Sequence, residues 1–343
     1  MLKTTMDEST NTSGGLHPDT VPSPPQDCEF RSVVAPTTVR PTQWTQIAPA
    51  HIIKDAFRLH TLLAIGAGLQ LAVSAAVPMP YCVIPAGALL VLAAAVTLVQ
   101  ILLPTRHGMR AGVLPGRTTA HMPTPHGRYA PTMPPQESVV VFHFGARFNH
   151  PLGVLAPGAQ AMTRHFRATL AALERERTVY GLLGGDLFRG GAAARTSHDT
   201  LFLVLYFRDV HGLQRFAASA VHREALAWLT GRTATVAGDS RRSSSSGRYP
   251  HLSAFHETFV VPAGHYESLY INTAPILLGN THTEKTGEAG EAGEAGEAGE
   301  AGEAGEAGEG EDSQRADKVW FSSLVDADDE RLRSMTARLK RSL

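Results

Sequence analysis

The stretch LFLVLYFRDVHGLQRFAASAVHREALAW, residues 201–228, holds two different periods in one line. Over 201–208, side chains alternate. Leu201, Leu203, Leu205 and Phe207 form a uniformly apolar face, while Phe202, Val204, Tyr206 and Arg208 form the other. That period of two is a strand whose apolar face suits helix packing. From Val210 the period lengthens: Leu213, Phe216, Ala217, Ala220, Val221, Leu226 and Leu229 recur at helical spacing, predicting a helix over 210–229.

The same grammar extends outward. SVVVFHF at 138–144 is a β-branched and aromatic run of strand length. Pro157-Gly158 opens a helix with Met162, Phe166, Leu170 and Leu173 on one face. Residues 179–188 read as a strand whose Gly181, Gly184 and Gly185 mark a bulge or close packing. Strands follow at 251–261 and 265–272, joined by Pro262-Ala263-Gly264. The order β-α-β-β-α-β-β is an α+β, ferredoxin-like split βαβ unit with one extra strand, occupying residues 137–280.

Residues 59–105 contain no Asp, Glu, Lys or Arg, and Pro78-Met79-Pro80-Tyr81 splits them. The halves, 59–77 and 82–103, are 19 and 22 residues long. At about 1.5 Å per residue they reach about 28 and 33 Å, matching a hydrocarbon core of about 30 Å. A transmembrane helical hairpin over 59–103 is the expectation, with Ala64, Gly68, Ala72 and Ala76 as a smooth stripe for helix packing. A buried hairpin of a soluble domain and a single span are the alternatives, and a single span would reverse the side of the main domain. Lys54 and Arg58 precede the hairpin, Arg106, Arg110 and Arg117 follow it, and the turn is uncharged. By the positive-inside rule everything after residue 106 faces the cytosol, with the endoplasmic reticulum as the expected membrane.

The chain carries 31 basic and 32 acidic groups, a net charge of −1. Nine glutamates sit in the acidic Gly-Glu-Ala linker at 287–311; without them the balance is 31 against 23, or +8. A mildly basic body of this kind excludes an acidic disordered protein and a nucleic-acid binder. Two cysteines, Cys28 and Cys82, build neither a disulfide scaffold nor a four-ligand zinc site. Residues 1–50 read as a disordered leader, 106–136 as a connector, the Ser/Arg loop at 231–250 as a surface insertion, and 313–343 as a tail with a short amphipathic helix over 327–341.

Candidate chemistry gathers on few residues. His256 and Glu257 are adjacent in the strand 251–261, so they point opposite ways unless the strand is bulged. Histidine changes charge near neutral pH, so His256 suits proton transfer and equally a hydrogen-bonded structural role. Arg208 ends an aromatic face, as an oxyanion clamp or a strand-end surface charge. Asn149 and His150 lie in a turn, Trp228 reads as core packing, and His222 is a haem ligand or a capping histidine. There is no dinucleotide glycine fingerprint, Walker A loop, HExxH or Gly-x-Ser-x-Gly elbow.

The texts GRTTA (116–120), NHPLGVLAPG (149–158), YGLLG (180–184), LYFRDVHGLQRFAASAVHREALAW (205–228) and FHETFVVPAGHYESLYIN (255–272) resemble the fumagillin-type monooxygenases of fungal secondary-metabolite clusters, relatives of the antibiotic-biosynthesis monooxygenases. The likeness covers about residues 117–280, with an echo at 320–338. It implies a dimeric α/β-barrel made by two ferredoxin-like units, and oxygen insertion into a polyketide- or terpenoid-derived small molecule. Molecular oxygen is then the co-substrate and no flavin, haem or metal is expected. His256 and Glu257 are the catalytic candidates by motif position. Asn149, His150, Arg208, Trp228 and Tyr270 are the substrate-binding ones. The alternatives are a haem-binding dehydratase of the same fold, with His222 as ligand, and a non-enzymatic small-molecule carrier.

Overall fold

The computed structural model describes residues 29–41, 57, 59–104, 110–124, 127–129, 137–190, 199–231, 249–285 and 318–339. Residues 1–28, Lys54, Arg58, Arg106, the loop 232–248 and the Gly-Glu-Ala array lie outside them. In chain order the elements are helices α1 (Leu59–Ala76) and α2 (Ile84–Leu102), strands β1 (Leu114–Ala120) and β2 (Val139–Phe148), α3 (Ala159–Arg175), the short α4 (Arg177–Tyr180), β3 (Leu182–Arg189) and β4 (Thr200–Phe207). Then come α5 (Val210–Ala217), α6 (Ala220–Thr230), β5 (Leu252–Val261), β6 (Tyr270–Thr273), β7 (His282–Glu284), β8 (Trp320–Ser322), β9 (Leu324–Asp326) and α7 (Met335–Leu339).

Four strands form one antiparallel sheet in the order β3-β4-β2-β5. This is the split βαβ arrangement, with the crossovers through α3 and through α5–α6 on one face. The apolar face read from the sequence is where the helices land. Leu203, Leu205 and Phe207 are buried with Val140 and Phe142 of β2, against Phe166, Leu170 and Leu173 of α3 and Leu213 and Phe216 of α5. Each such burial is worth about 1.5–3 kcal/mol, so this seam supplies most of the unit's cohesion.

Within residues 137–280, three elements depart from the sequence-based expectation. The helix over 210–229 is two helices. Ser219 adopts an extended conformation and its hydroxyl accepts from His222 N at 3.3 Å, starting α6 afresh. Strand β3 begins late, because Arg177–Tyr180 closes one more helical turn before Gly181 (φ 63°) releases the chain. The strand expected over 265–272 shortens to β6 and leaves the main sheet altogether. It pairs with β1, which lies inside the expected connector, and β1 pairs in turn with β9.

These last strands make a second layer. Ala120, Met122 and Leu278 are buried against Val139, Leu183, Val204 and Tyr206, covering part of the sheet face that the helices leave bare. The tail contributes β8 and β9, and among its described residues the helix is Met335–Leu339. The amphipathic helix expected over 327–341 fails at its start. Asp326 Oδ1 accepts from Asp328 N and Asp329 Oδ1 from Arg331 N, both at 2.9 Å, and such local turns compete with a helix.

Residues 29–41 run along the tail strands. Val33 N donates to Leu324 O (3.2 Å), Asp326 N to Arg31 O (2.9 Å), and Thr37 and Trp320 exchange both backbone bonds (3.1 and 2.8 Å). Phe30 is buried with Tyr129, Val325 and Leu332. Arg177 joins this strap to the main unit. It is 1% exposed, donates to the carbonyls of Leu182, Leu183 and Pro41, sits 3.8 Å from Glu174 and lies over the Trp320 ring at 5.1 Å. Burial lowers its pKa to about 10, with Glu174 opposing that shift.

Two consequences are measurable. Arg177→Ala leaves the Glu174 carboxylate without its ion-pair partner and three carbonyls without their donor. Removing one partner of a buried pair costs about 3–5 kcal/mol, to be read as a lower urea midpoint in detergent; Arg177→Lys, unable to fork between carbonyls, recovers only part of it. His282 of β7 has a buried, unpartnered Nδ1, and burial followed by the Arg177 charge lowers its pKa to about 4. The unfolded chain therefore binds the extra proton first, from about pH 6.5 downward. The stability from the neutral imidazole is complete above that pH and is lost as pH falls toward 4. His282→Gln is expected to flatten the urea midpoint against pH over this window.

Candidate active site

The pairing of β2 with β5 runs without a bulge from Val139 opposite Val261 to Phe148 opposite Leu252. His256 therefore lies opposite Phe144, on the helix side, and Glu257 opposite His143, on the bare side. The two catalytic candidates point away from each other, as an unbulged strand requires.

On the helix side, the His256 ring lies 5.6 Å from Phe142, and Phe144 stacks on Phe166 at 5.6 Å. His222 is close by. Its Nδ1 is 3.0 Å from Ala217 O and its ring meets Phe216 edge-on at 5.4 Å. Burial holds its pKa below the ordinary imidazole value, and the neighbouring His256 adds to that. His222 thus closes the junction between α5 and α6 with the capping contacts of a helix-joint residue.

On the bare side, Glu257 Oε2 lies 3.6 Å from His143 Nδ1, with side chains 67% and 28% exposed. That is ion-pair range and longer than a hydrogen bond. The His143 ring sits between Phe202 and Phe259, edge-on to each at 5.2 and 5.3 Å. Phe255 stacks over Phe202 at 6.3 Å and occupies the space above Gly145, where a Cβ would meet its ring at 2.1 Å. Phe255 and Phe259 remain 44% and 47% exposed. A histidine–glutamate pair thus stands in an aromatic bed on the part of the sheet that neither helices nor second layer covers. The sequence reading missed His143. Its only signal was a lone polar residue inside SVVVFHF, and its partner becomes visible only once β2 and β5 are in register.

The bed is bounded by a roof at the 3-10 turn Leu277–Asn280. Asp186 of β3 accepts from Leu277 N and from Asn280 Nδ2 (3.0 Å), and burial pushes its carboxyl above the usual range. Tyr270 Oη accepts from Gly279 N at 2.9 Å, and burial raises the phenol pKa. Burial raises Tyr206 as well. Tyr270 thus holds the roof.

Asn149, His150 and Trp228 come together at one end of the unit. Asn149 Nδ2 donates to Ser253 Oγ (3.2 Å) and His150 Nδ1 accepts from Leu152 N (3.1 Å). Rings then run from His150 to His251 (5.0 Å), to Tyr249 (5.9 Å), to Trp228 (5.9 Å) and to His165 (4.9 Å). Arg208 is at the opposite strand end, 3.8 Å from Glu137, and does not join them. Among the described residues, no cluster of three or more His, Cys, Asp or Glu is arranged to hold a metal.

The sheet order and crossovers define an α+β protein with a ferredoxin-like unit. The description "Monooxygenase af470-like" matches residues 139–278, the span from β2 to the roof turn. Monooxygenase af470 of Aspergillus fumigatus is 30% identical over 316 residues, which is 92% of this chain and 99% of that protein. The chain belongs to this family of fungal monooxygenases, and is an oxidoreductase by that membership. Among solved structures, one described as an antibiotic-biosynthesis monooxygenase from Caulobacter crescentus CB15 is 10% identical, with a TM-score of 0.23, over 36% of this chain and 90% of that one. An aldoxime dehydratase solved with butyraldoxime is 14% identical, with a TM-score of 0.30, over 47% and 38% of the two chains.

Proposed function

We propose that this protein is a membrane-anchored monooxygenase that oxidises an apolar polyketide- or terpenoid-type small molecule in secondary metabolism, using molecular oxygen and no dissociable cofactor. The observation that carries the site is the His143–Glu257 pair set among Phe202, Phe255 and Phe259. Aromatic rings give an apolar substrate a bed, and the imidazole gives it a base. Glu257, on the Nδ1 side, favours the tautomer that leaves Nε2 free to take a proton from an activated substrate CH2. The carbanion delivers an electron to O2 and the two radicals combine as a peroxide. Loss of water then leaves a carbonyl, so CH2 and O2 become C=O and H2O with every electron supplied by the substrate. Such a step needs water excluded. A second copy laid on the bare sheet face would exclude it, so the working form proposed is a homodimer, in line with the barrel that the family resemblance implies.

Membrane anchoring is supported by the two apolar helices. Over an 18-residue window the spans 59–76 and 81–102 have mean hydropathies of 1.5 and 2.5, and 0% and 6% of that window is buried by the rest of the protein. Apolar surface of that size left in water is costly. The arginines after α2 favour a cytosolic domain at the endoplasmic reticulum.

Detergent-purified protein should consume O2 with its substrate, yield a product enriched in one oxygen atom, and show no absorption band near 400 nm. His143→Gln and Glu257→Gln are each expected to lower turnover by about 10²–10⁴-fold, with substrate affinity little changed. Full turnover in both variants, with loss in His256→Ala, would move the chemistry to the helix side of the sheet.

A further inference from the structure

We infer that α1 and α2 cross the bilayer as an even-numbered pair, so that the chain before the hairpin and the whole domain after it lie on the same side, with the turn at 78–83 on the other. The inference rests on the membrane-anchor reading above. It settles what composition left open, because an uncharged stretch of this length is compatible with one crossing or two.

Residues 29–41 precede the hairpin and residues 110–339 follow it. The first segment is built into the second. Val33, Arg31 and Thr37 exchange backbone hydrogen bonds with Leu324, Asp326 and Trp320. Phe30, at 2% exposure, is packed with Tyr129, Val325 and Leu332. Arg177 of α4 donates to Pro41 O at 3.1 Å. Strand β9, which the strap touches, is also the partner of β1, the first strand after α2. The two flanks of the hairpin thus end on one small sheet. A single crossing would hold 29–41 across the bilayer from that sheet. The buried Phe30 site would then be empty and the edges of β8 and β9 unpaired, at a cost of several kcal/mol.

A second observation agrees. The turn at 81–83 lies against α1. Gln70, a polar side chain inside α1, donates from Nε2 to the Cys82 carbonyl at 3.0 Å, across the turn. In hydrocarbon an amide needs partners; Ser74 Oγ of the same helix supplies one at 3.4 Å, and the turn supplies this second one. The hairpin is therefore an insertion into a domain that closes on itself around it. That domain is assembled only when the chain on both sides of the hairpin is present.

The chain's two cysteines make the test simple. Cys82→Ser leaves Cys28, just before the strap, as the only thiol. Two further variants in the Cys28→Ser/Cys82→Ser background carry Ser342→Cys or Tyr81→Cys, reporting the tail and the turn. Sealed microsomes are treated with a membrane-impermeant maleimide, with and without detergent, after carbonate washing. The expected result is that the strap and tail reporters label together before detergent, while the turn reporter labels only after it. Strap and tail on opposite sides would overturn the inference while leaving the anchor standing, as would a turn that labels together with both flanks. Release of the protein by carbonate would overturn the anchor reading, and the inference with it.

Discussion

The candidate site depends on one constraint, the unbroken two-residue alternation through the paired strands β2 and β5. A pleated strand sends neighbours to opposite faces. So the adjacent residues His256 and Glu257 are divided between two environments, and neither can serve the other. His256 is turned to the helices, beside Phe142 and His222. Glu257 is turned to the bare face, where the register supplies His143 as its partner. A one-residue slip of β5 would exchange the two, and Leu252 opposes it: that side chain is buried with Phe148 of β2 and with Ala159 and Met162 of α3, and a slip would turn it out of that packing. The same hydrophobic term that holds the helices on the sheet thereby fixes which polar groups meet on the far side.

The second layer adds a different kind of constraint. A ferredoxin-like unit leaves one sheet face uncovered, and here β1, β6, β9 and the turn at 277–280 cover part of it. The cover is held by groups whose ionisation burial has shifted. Asp186 and Tyr270 grip the backbone of the turn, and Arg177 binds the strap, the start of β3 and the Trp320 ring at once. What the cover leaves open is the strip occupied by His143, Phe255, Glu257 and Phe259. The bed is thus defined as much by where the roof stops as by the sheet beneath it.

Several of these features are legible in the sequence. The switch from a period of two to a helical period in residues 201–228 identified β4 and the helical crossover, and the apolar row was correctly placed toward the helices. The break at Ser219 was less visible, because a hydroxyl cap costs the sequence one residue and interrupts no apolar face. The fate of residues 265–272 was not legible at all. A short strand carries no label for its partner, and the segment looked like an edge of the main sheet because it followed β5 closely. Its true partner, β1, lay in a proline- and glycine-rich stretch that reads as connector. Of the substrate-binding candidates, Asn149, His150 and Trp228 do converge on one aromatic ladder. Arg208 is drawn instead to Glu137, and Tyr270 to the backbone of Gly279.

By itself the sequence determined the element types of the main unit, the two apolar spans and the opposed directions of His256 and Glu257. Each of these follows from periodicity or composition over a local window. Tertiary structure alone decided that His143 faces Glu257, that the strand after β5 belongs to a second sheet, and that the segment before the hairpin is stitched to the tail. Each of those is a pairing between residues far apart in the chain. Local side-chain pattern determines which face of a strand is buried, but the partner is chosen by the free energy of the whole assembled sheet.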